Sequence, residues 1–593
     1  MKGKAGWLIL SCLVAVSLAL ISCGPAATSP TPSPTPTPTP TLSPTPTPTA
    51  TVPSVEKPQY GGTLTLALDT DLIGFDPAYT VTWQCYQMNF THDKMLYGDW
   101  KKGPGGTGET GFLLYTFMPH FSTGYLAESW ELPDAETIIF RLRQGIKWQN
   151  RPPVNGREVV ADDVVFSFKR LFEIPESYLV TTHKALGFPT SIKALDKYTV
   201  EIKVPPASQP GIFRDLGSQT WTIAPEIVKT YGDHKNWRYA VGNGPFILKD
   251  FVPDSMAVFV KNPDYWMENP LHPGDKLPYV DTYKRLVIKD VSTRLSALRT
   301  GKIDALLGVE WEDKDSLIKT NPELKWARTG SYEEGIAMRV DTKPFDDVRV
   351  RRALWLAMDN LAIRDVYYGG NAALLNYPVK DLPDFKAIYT PLEQLPQSVQ
   401  ELYGYNPDKA KQLLTEAGYP NGFKAEIITR SEPRYVELLE VIKEQWSKIG
   451  VQLDIKPMEF ASWNSIAVRF QHKQMIYADS LWTSSPFKCQ TWGTGQGRNL
   501  SIVSDPWLDE KFKVITGAEL DWAKGVPAWK EVIPYLLDKA FYVQPPNSFS
   551  HSFWQPWFKD YHGEYCIGYT SFYMWVRFGW LDLDLKAKMM GGK

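Results

Sequence analysis

The chain has 593 residues, a hydrophobic fraction of 43%, and a formal net charge of −2 from 64 Lys and Arg against 66 Asp and Glu. Charge so evenly balanced suggests no basic face for nucleic acid, and beyond the N-terminus no stretch approaches the ~20 apolar residues of a membrane-spanning helix. A folded part this long exceeds what one core needs, so at least two lobes are expected.

In chain order, Lys2 and Lys4 precede a mostly apolar run from Trp7 to Ile21 that ends just before Cys23. So short a run without a charged stop predicts a cleaved export signal over residues 1–22. Leu20-Ile21-Ser22-Cys23 resembles the bacterial lipoprotein box, whose cysteine is acylated and becomes the new N-terminus. Cys23 is therefore the expected lipidation site, and the outer face of the cytoplasmic membrane, periplasmic or extracellular, the expected location. From Thr28 to about Pro53 the composition is almost entirely Pro, Thr, Ser and Ala. Proline fixes φ and removes the amide donor, so residues 23–56 are expected to form a linker extending roughly 3 Å per residue. Of the five cysteines, Cys12 leaves with the signal and Cys23 takes lipid. Cys85, Cys489 and Cys566 remain; export permits a disulfide, sequence does not choose the pair, and their wide spacing does not resemble a metal site.

The folded part opens on Gly61-Gly62 and an alternating segment, Thr63 to Leu68, that reads as a strand leaving a glycine turn, with Asp71 to Pro77 as the loop after it. Lys101 to Gly111 is a glycine-rich surface loop. Glu136 to Arg143 is a second strand, and a helix starts near Ala161, with Val164, Phe168 and Leu171 on one face and Asp162 and Asp163 at its positive end. Asp346 and Asp347 precede a helix with the stripe Val350, Ala353, Leu354, Ala357 and Met358. Lys409 to Ala417 is a helix stopped by Gly418. Leu438 to Ile449 is a helix ended by Gly450, and Val451 to Ile455 a strand. Interleaved strands and helices make the fold class α/β.

These segments carry a resemblance. Leu126-Ala127-Glu128-Ser129-Trp130, Gly145-Ile146-Lys147-Trp148 and Ala161-Asp162-Asp163-Val164-Val165-Phe166-Ser167 are similar to the signature of family 5 extracellular solute-binding proteins, the oligopeptide-, dipeptide- and nickel-binding receptors of ATP-binding-cassette importers. Further matches follow in order: Gly242-Asn243-Gly244-Pro245-Phe246, Lys261-Asn262-Pro263-Asp264-Tyr265-Trp266, Ala297 to Asp304, Pro344 to Leu354, Asn406 to Ala410, and Ala417 to Phe423. Each is weak alone; so many in sequence, from Tyr60 to about Lys586, are specific. Three departures stand out. Val160 replaces a threonine that would cap the helix, Asp359-Asn360 replaces Asp-Arg or Asp-Lys, and Ser480 to Pro486 departs from the family's Y-x-D-P after Asp479.

The resemblance implies a two-lobed clamshell of the type II periplasmic-binding-protein kind, with an extra subdomain on lobe I, closing over solute by a hinge. Lobe I would comprise residues 57–98, 237–330 and 548–593, its subdomain 99–236, and lobe II 331–547, with crossings near Gly330 and Asn547. In peptide binders of the family an aspartate of lobe II pairs with the ligand's α-amino group, because an unpaired buried ion is costly. Tyr477-Ala478-Asp479 stands at that element, which makes Asp479 the candidate ammonium clamp; capping a turn is its bland alternative. Trp482 and Trp492 could form a stacking wall, or pack the core. Trp83 and Tyr86 fall where the family lines the cleft from lobe I. Trp130, Trp148 and Trp266 are assigned to the core.

Function then reads as an extracytoplasmic receptor that captures small peptides, with oligosaccharides as the alternative cargo. Its partners would be a permease and an ATPase subunit, and the membrane through the N-terminal lipid. A monomer without cofactor or metal is expected. There is no G-x-x-x-x-G-K-[ST] loop, G-x-S-x-G elbow or H-E-x-x-H helix, and the eight histidines are scattered, which weakens nickel as cargo. A secreted cell-wall hydrolase would need two carboxylates facing across a cleft, and no motif offers them. A sensory receptor using the same clamp stays open.

Overall fold

The computed structural model describes residues 57–80, 82–113, 117–184, 187–331, 334–478 and 491–591. The signal, Cys23 and the linker lie outside the described residues.

Gly61 and Gly62 both take positive φ, +116° and +81°, where the chain turns into the strand Thr63–Leu68. Such backbone is open to glycine at little cost. Leu64, Leu66 and Leu68 bury one face of this strand, which runs parallel to Thr282–Val287 and to Ala305–Val309. The helix Val291–Arg299 carries the crossover between those two strands. Antiparallel strands complete the sheet: Met256–Lys261 and Phe246–Val252 on one side, Asn547–Trp554 and Lys325–Ser331 on the other.

A four-stranded antiparallel sheet has the order Ala127–Asp134, Thr137–Leu142, Thr199–Lys203, Ser191–Asp196. The helix Ala161–Glu173 covers it with Val164, Phe168 and Leu171 buried, as the stripe predicts. Val160 cannot cap this helix through its side chain. The Asp163 carboxylate instead reaches back to accept the Val160 amide at 3.0 Å, while holding Arg157 bidentately at 2.7 and 2.8 Å. The missing cap is thus partly replaced by the acidic half of a capping box. Trp148 is fully buried beside it; Trp130 and Trp266 are half-buried against the same core.

The third large element is a five-stranded sheet ordered Gln452–Met458, Lys424–Arg430, Met475–Ala478, Gly335–Met338, Tyr542–Val543, its first three strands parallel. Three helices pack with it. Val348–Leu356 starts at Asp347, whose side chain accepts the Arg349 amide at 2.8 Å. Pro407–Glu416 and Pro433–Ser447 end before Gly418 and Gly450, at φ +91° and +82°. The last helix begins five residues before Leu438 because Pro433 supplies the preset φ of a first turn.

The chain passes twice between the large sheet and the five-stranded sheet. Lys325–Ser331 leads into Gly335–Met338, and Tyr542–Val543 leads into Asn547–Trp554. The two passages pair antiparallel on both sides. Asn547 holds them together. Its Oδ1 accepts from the Glu334 amide at 3.0 Å, Asn376 Nδ2 at 3.1 Å and Gln544 Nε2 at 2.9 Å, and its Nδ2 donates to the Glu334 carbonyl at 3.1 Å. All four residues are buried.

Candidate ligand-binding site

Parallel strands place ligands outside their carboxyl ends, where crossovers diverge and backbone polar groups face an open crevice. In this protein the carboxyl end of Thr63–Leu68 leads to Tyr86, and that of Met475–Ala478 carries Tyr477. Asp479, Trp482 and Cys489 lie outside the described residues, as does the side chain of Trp83, whose backbone belongs to the short turn Thr82–Cys85.

Tyr477 is buried and donates its hydroxyl to Glu334 Oε2 at 3.2 Å. Burial, then the Glu334 and Tyr368 charges, hold its phenol well above the usual range, so it remains a donor. Glu334 in turn meets Arg434 Nη1 at 2.8 Å, and that guanidinium lies 4.4 Å from the Tyr435 ring centre. Tyr435 packs edgewise on Tyr477, centroids 5.8 Å apart. A carboxylate–arginine–tyrosine network therefore sits beside the first crossing and steadies the strand end that precedes Asp479. Glu334 and Arg434 were not found by sequence reasoning; no motif separates them from ordinary surface charge.

Tyr86 is half-buried on the other side. Phe572 and Tyr573 flank it at 6.0 and 5.7 Å, and the Arg285 guanidinium lies 5.1 Å from its ring centre. No ring contact joins Tyr86 to Tyr477 among the described residues. Trp492 belongs elsewhere: it is buried against Tyr377, Phe512 and Trp529, and its Nε1 donates to Tyr377 Oη at 2.8 Å. Its indole fills core rather than standing as a wall.

Outside the crossings, contacts tie the two sheets' surroundings together. Arg214, beside the four-stranded sheet, donates to Glu519 Oε1 at 2.5 Å, with both side chains buried. Thr110, at the end of the glycine-rich loop, donates to Asp384 Oδ1 at 2.7 Å. His120 stacks on Trp522 at 6.2 Å. Among the described residues no His, Cys, Asp and Glu group has the makings of a metal site, and Cys85 and Cys566 are buried free thiols.

Comparison with known proteins agrees with this geometry. A model of bacterial extracellular solute-binding proteins, family 5, matches residues 123–498. The chain is 31% identical over 364 residues to heme-binding protein A of Haemophilus influenzae, covering 58% of this chain and 63% of that protein. It is 29% identical over 469 residues to the dipeptide-binding protein of Escherichia coli, covering 72% and 82%. The fold is shared with an ABC transporter-associated periplasmic binding protein of Helicobacter pylori solved with the peptide STSA (TM-score 0.65, 23% identity, 88% of this chain and 99% of that one). It is shared also with the Bacillus subtilis oligopeptide-binding protein solved with a nonapeptide (TM-score 0.64, 18% identity, 88% and 100%). Two sheets joined by paired crossings, with candidate ligand groups at their strand ends, are the frame of a substrate-binding receptor, and this chain belongs to the family 5 bacterial extracellular solute-binding proteins.

Proposed function

We propose that this protein is the extracytoplasmic receptor of an ATP-binding-cassette importer, binding short peptides between two lobes and passing them unchanged to a permease. The observation that carries the reading is the double crossing held by Asn547, which links two sheets at one edge; a hinge at that edge would let them close on solute. The lobes would be residues 57–98, 237–330 and 548–593 for the first, 99–236 for its subdomain, and 331–547 for the second. Asp479 would take the peptide's α-amino group, on a strand end steadied by the Tyr477–Glu334–Arg434 network. Tyr86 would line the cleft from the first lobe and Trp482 from the second, with Trp83 beside Tyr86. Names of relatives support peptide cargo: dipeptide- and di/tripeptide-binding proteins recur among them. The oligosaccharide alternative is weakened by the loss of Trp492 to the core. Acylated Cys23 and the linker would tether a monomeric, non-enzymatic receptor to the outer face of the membrane.

Calorimetry on Asp479→Ala tests the reading. Binding of peptides with a free amino end should be abolished while N-acetylated peptides bind as before, and small-angle scattering of the wild type should show compaction on peptide addition. Unchanged peptide affinity in the variant would remove Asp479 from the site; scattering that no peptide alters would remove closure.

A further inference from the structure

Two short turns of this chain plant neighbouring residues in different cores. Phe117 is buried among the side chains that cover the four-stranded sheet, with ring centroids 6.2 Å from Phe213 and 6.3 Å from Tyr569. The next residue, Met118, is 3% exposed and sits instead in the core of the five-stranded sheet. Its backbone is extended, φ −132° and ψ 102°, and successive side chains of an extended segment point opposite ways. Phe121 then packs on the same core as Met118.

The turn between the helices Pro506–Gly517 and Trp522–Asp538 does the converse. Leu520 packs against the core that holds Phe117, while Trp522 packs against the core that holds Met118. Glu519 is buried and accepts from Arg214 Nη1 at 2.5 Å, and Trp522 stacks on His120 at 6.2 Å. Each side thus lends an apolar side chain to the other's core, beside one buried ion pair. Drawn apart, Met118 and Leu520 would meet water and Glu519 would lose its cation, so the two turns favour being together. No ring contact, ion pair or hydrogen bond among the described residues joins these side chains to Tyr86, Tyr477 or Glu334.

In the lobes proposed above, Phe117–Phe121 belongs to the subdomain of the first and Glu519–Trp522 to the second. We infer that the two turns form a latch that engages as these lobes close, so that retention of any solute is set partly by side chains that do not touch it. This rests on the receptor reading. It adds a contribution to affinity shared by every solute, because the latch makes the same contacts whatever lies in the cleft. Such a contribution acts after encounter, on the rate of release rather than of capture.

The test uses the full-length protein in two measurements: stopped-flow kinetics with dialanine, alanyl-phenylalanine and alanyl-lysine, and hydrogen exchange read by mass spectrometry. Met118→Ala and Leu520→Ala, one from each side, should each speed release of all three dipeptides by a common factor of about five to ten, with association within about twofold of wild type. Release unchanged in both variants, or factors that differ more than about threefold between dipeptides, overturns the latch. Leu520 is only half-buried, so its variant carries the test if Met118→Ala does not fold. Hydrogen exchange needs no solute. Amides of both turns should exchange at least about tenfold faster than those of the core strand Thr63–Leu68, and Leu520→Ala should speed those of Phe117–Phe121 further. Protection equal to that of the strand marks a fixed interface and overturns the latch. If none of the dipeptides binds while this exchange pattern holds, the latch stands and the peptide reading falls.

Discussion

Two buried arginines solve the same electrostatic problem in different places. Arg577 is enclosed wholly beside the large sheet: Asp93 Oδ1 lies at 2.9 Å, the Tyr265 hydroxyl at 2.7 Å and the Asn89 carbonyl at 2.9 Å, and Trp266 Nε1 completes Asp93 at 2.9 Å. Arg214 instead divides its donors between a neighbour, Asp215, and Glu519, which follows the helix Pro506–Gly517 of the other sheet's surroundings. The first cluster can be lost only by unfolding. If the two proposed lobes open, the second loses one partner, while Arg214 keeps Asp215. A buried ion pair serves as permanent glue when all its partners move together, and would serve as a reversible clasp where, under the proposed lobes, one of them moves with the other lobe.

The sharpest way to break this contrast is Arg577→Met. It leaves Asp93 buried without its cation and should lower unfolding stability by about 3–5 kcal/mol, read by denaturant titration; a loss below about 1 kcal/mol would show that the cluster is no glue. Next comes acid. His472 is buried beside Arg339, and burial followed by that charge lowers its pKa to about 4. A folded pKa below the unfolded ~6.5 means that the unfolded chain binds the proton first, so stability is full above pH 6.5 and falls toward pH 4. The loss is about 1.4 kcal/mol per pH unit for this one group. His472→Gln should flatten the stability–pH curve in that window; an unchanged slope would reject the assignment. Glu519→Gln should act on closure rather than folding: peptide affinity about tenfold weaker, a difference of about 1.4 kcal/mol, with the unliganded melting temperature almost unmoved. A large fall in the melting temperature would make Glu519 glue as well.

The smallest effect concerns Asp384, which among the described residues has Thr110 and the Gly111 amide for partners and no cation. Burial, offset in part by those hydrogen bonds, raises its pKa. Its stability contribution is therefore fully present below the unfolded value near 3.8 and is lost as pH rises through the higher folded value. Asp384→Asn should stabilise the protein by about 0.5 kcal/mol at pH 7 and by nothing near pH 3. A gain that persists at pH 3 would point to packing instead of charge.

How much was legible follows the reach of each signal. The strand at Thr63–Leu68 and the stripe of Val350, Ala353 and Leu354 are visible because side-chain period and glycine placement are local. Tyr86 was singled out by its position after the first strand, and the structure sets it against a cation and two aromatic rings. Trp492 could not be told from a cleft residue, since core and cleft both accept an indole and only its contact with Tyr377 decides. The burial of Arg285 was not read from the sequence although a faint signal exists: it shares parity with Tyr283 in an alternating strand, which aims a charge at the buried face.

Sequence by itself determined which segments coil or extend, and where glycines and prolines end them, because those choices are made within a few residues. It also carried the ordered motifs by which the family is known. Only the tertiary structure decided which charges meet. Arg577 finds Asp93 across 484 residues and Arg214 finds Glu519 across 305. The reason is physical: desolvation makes a charge's partner matter most where water is excluded, and which positions lose their water depends on how the sheets are threaded and packed, not on the residues adjacent in the chain.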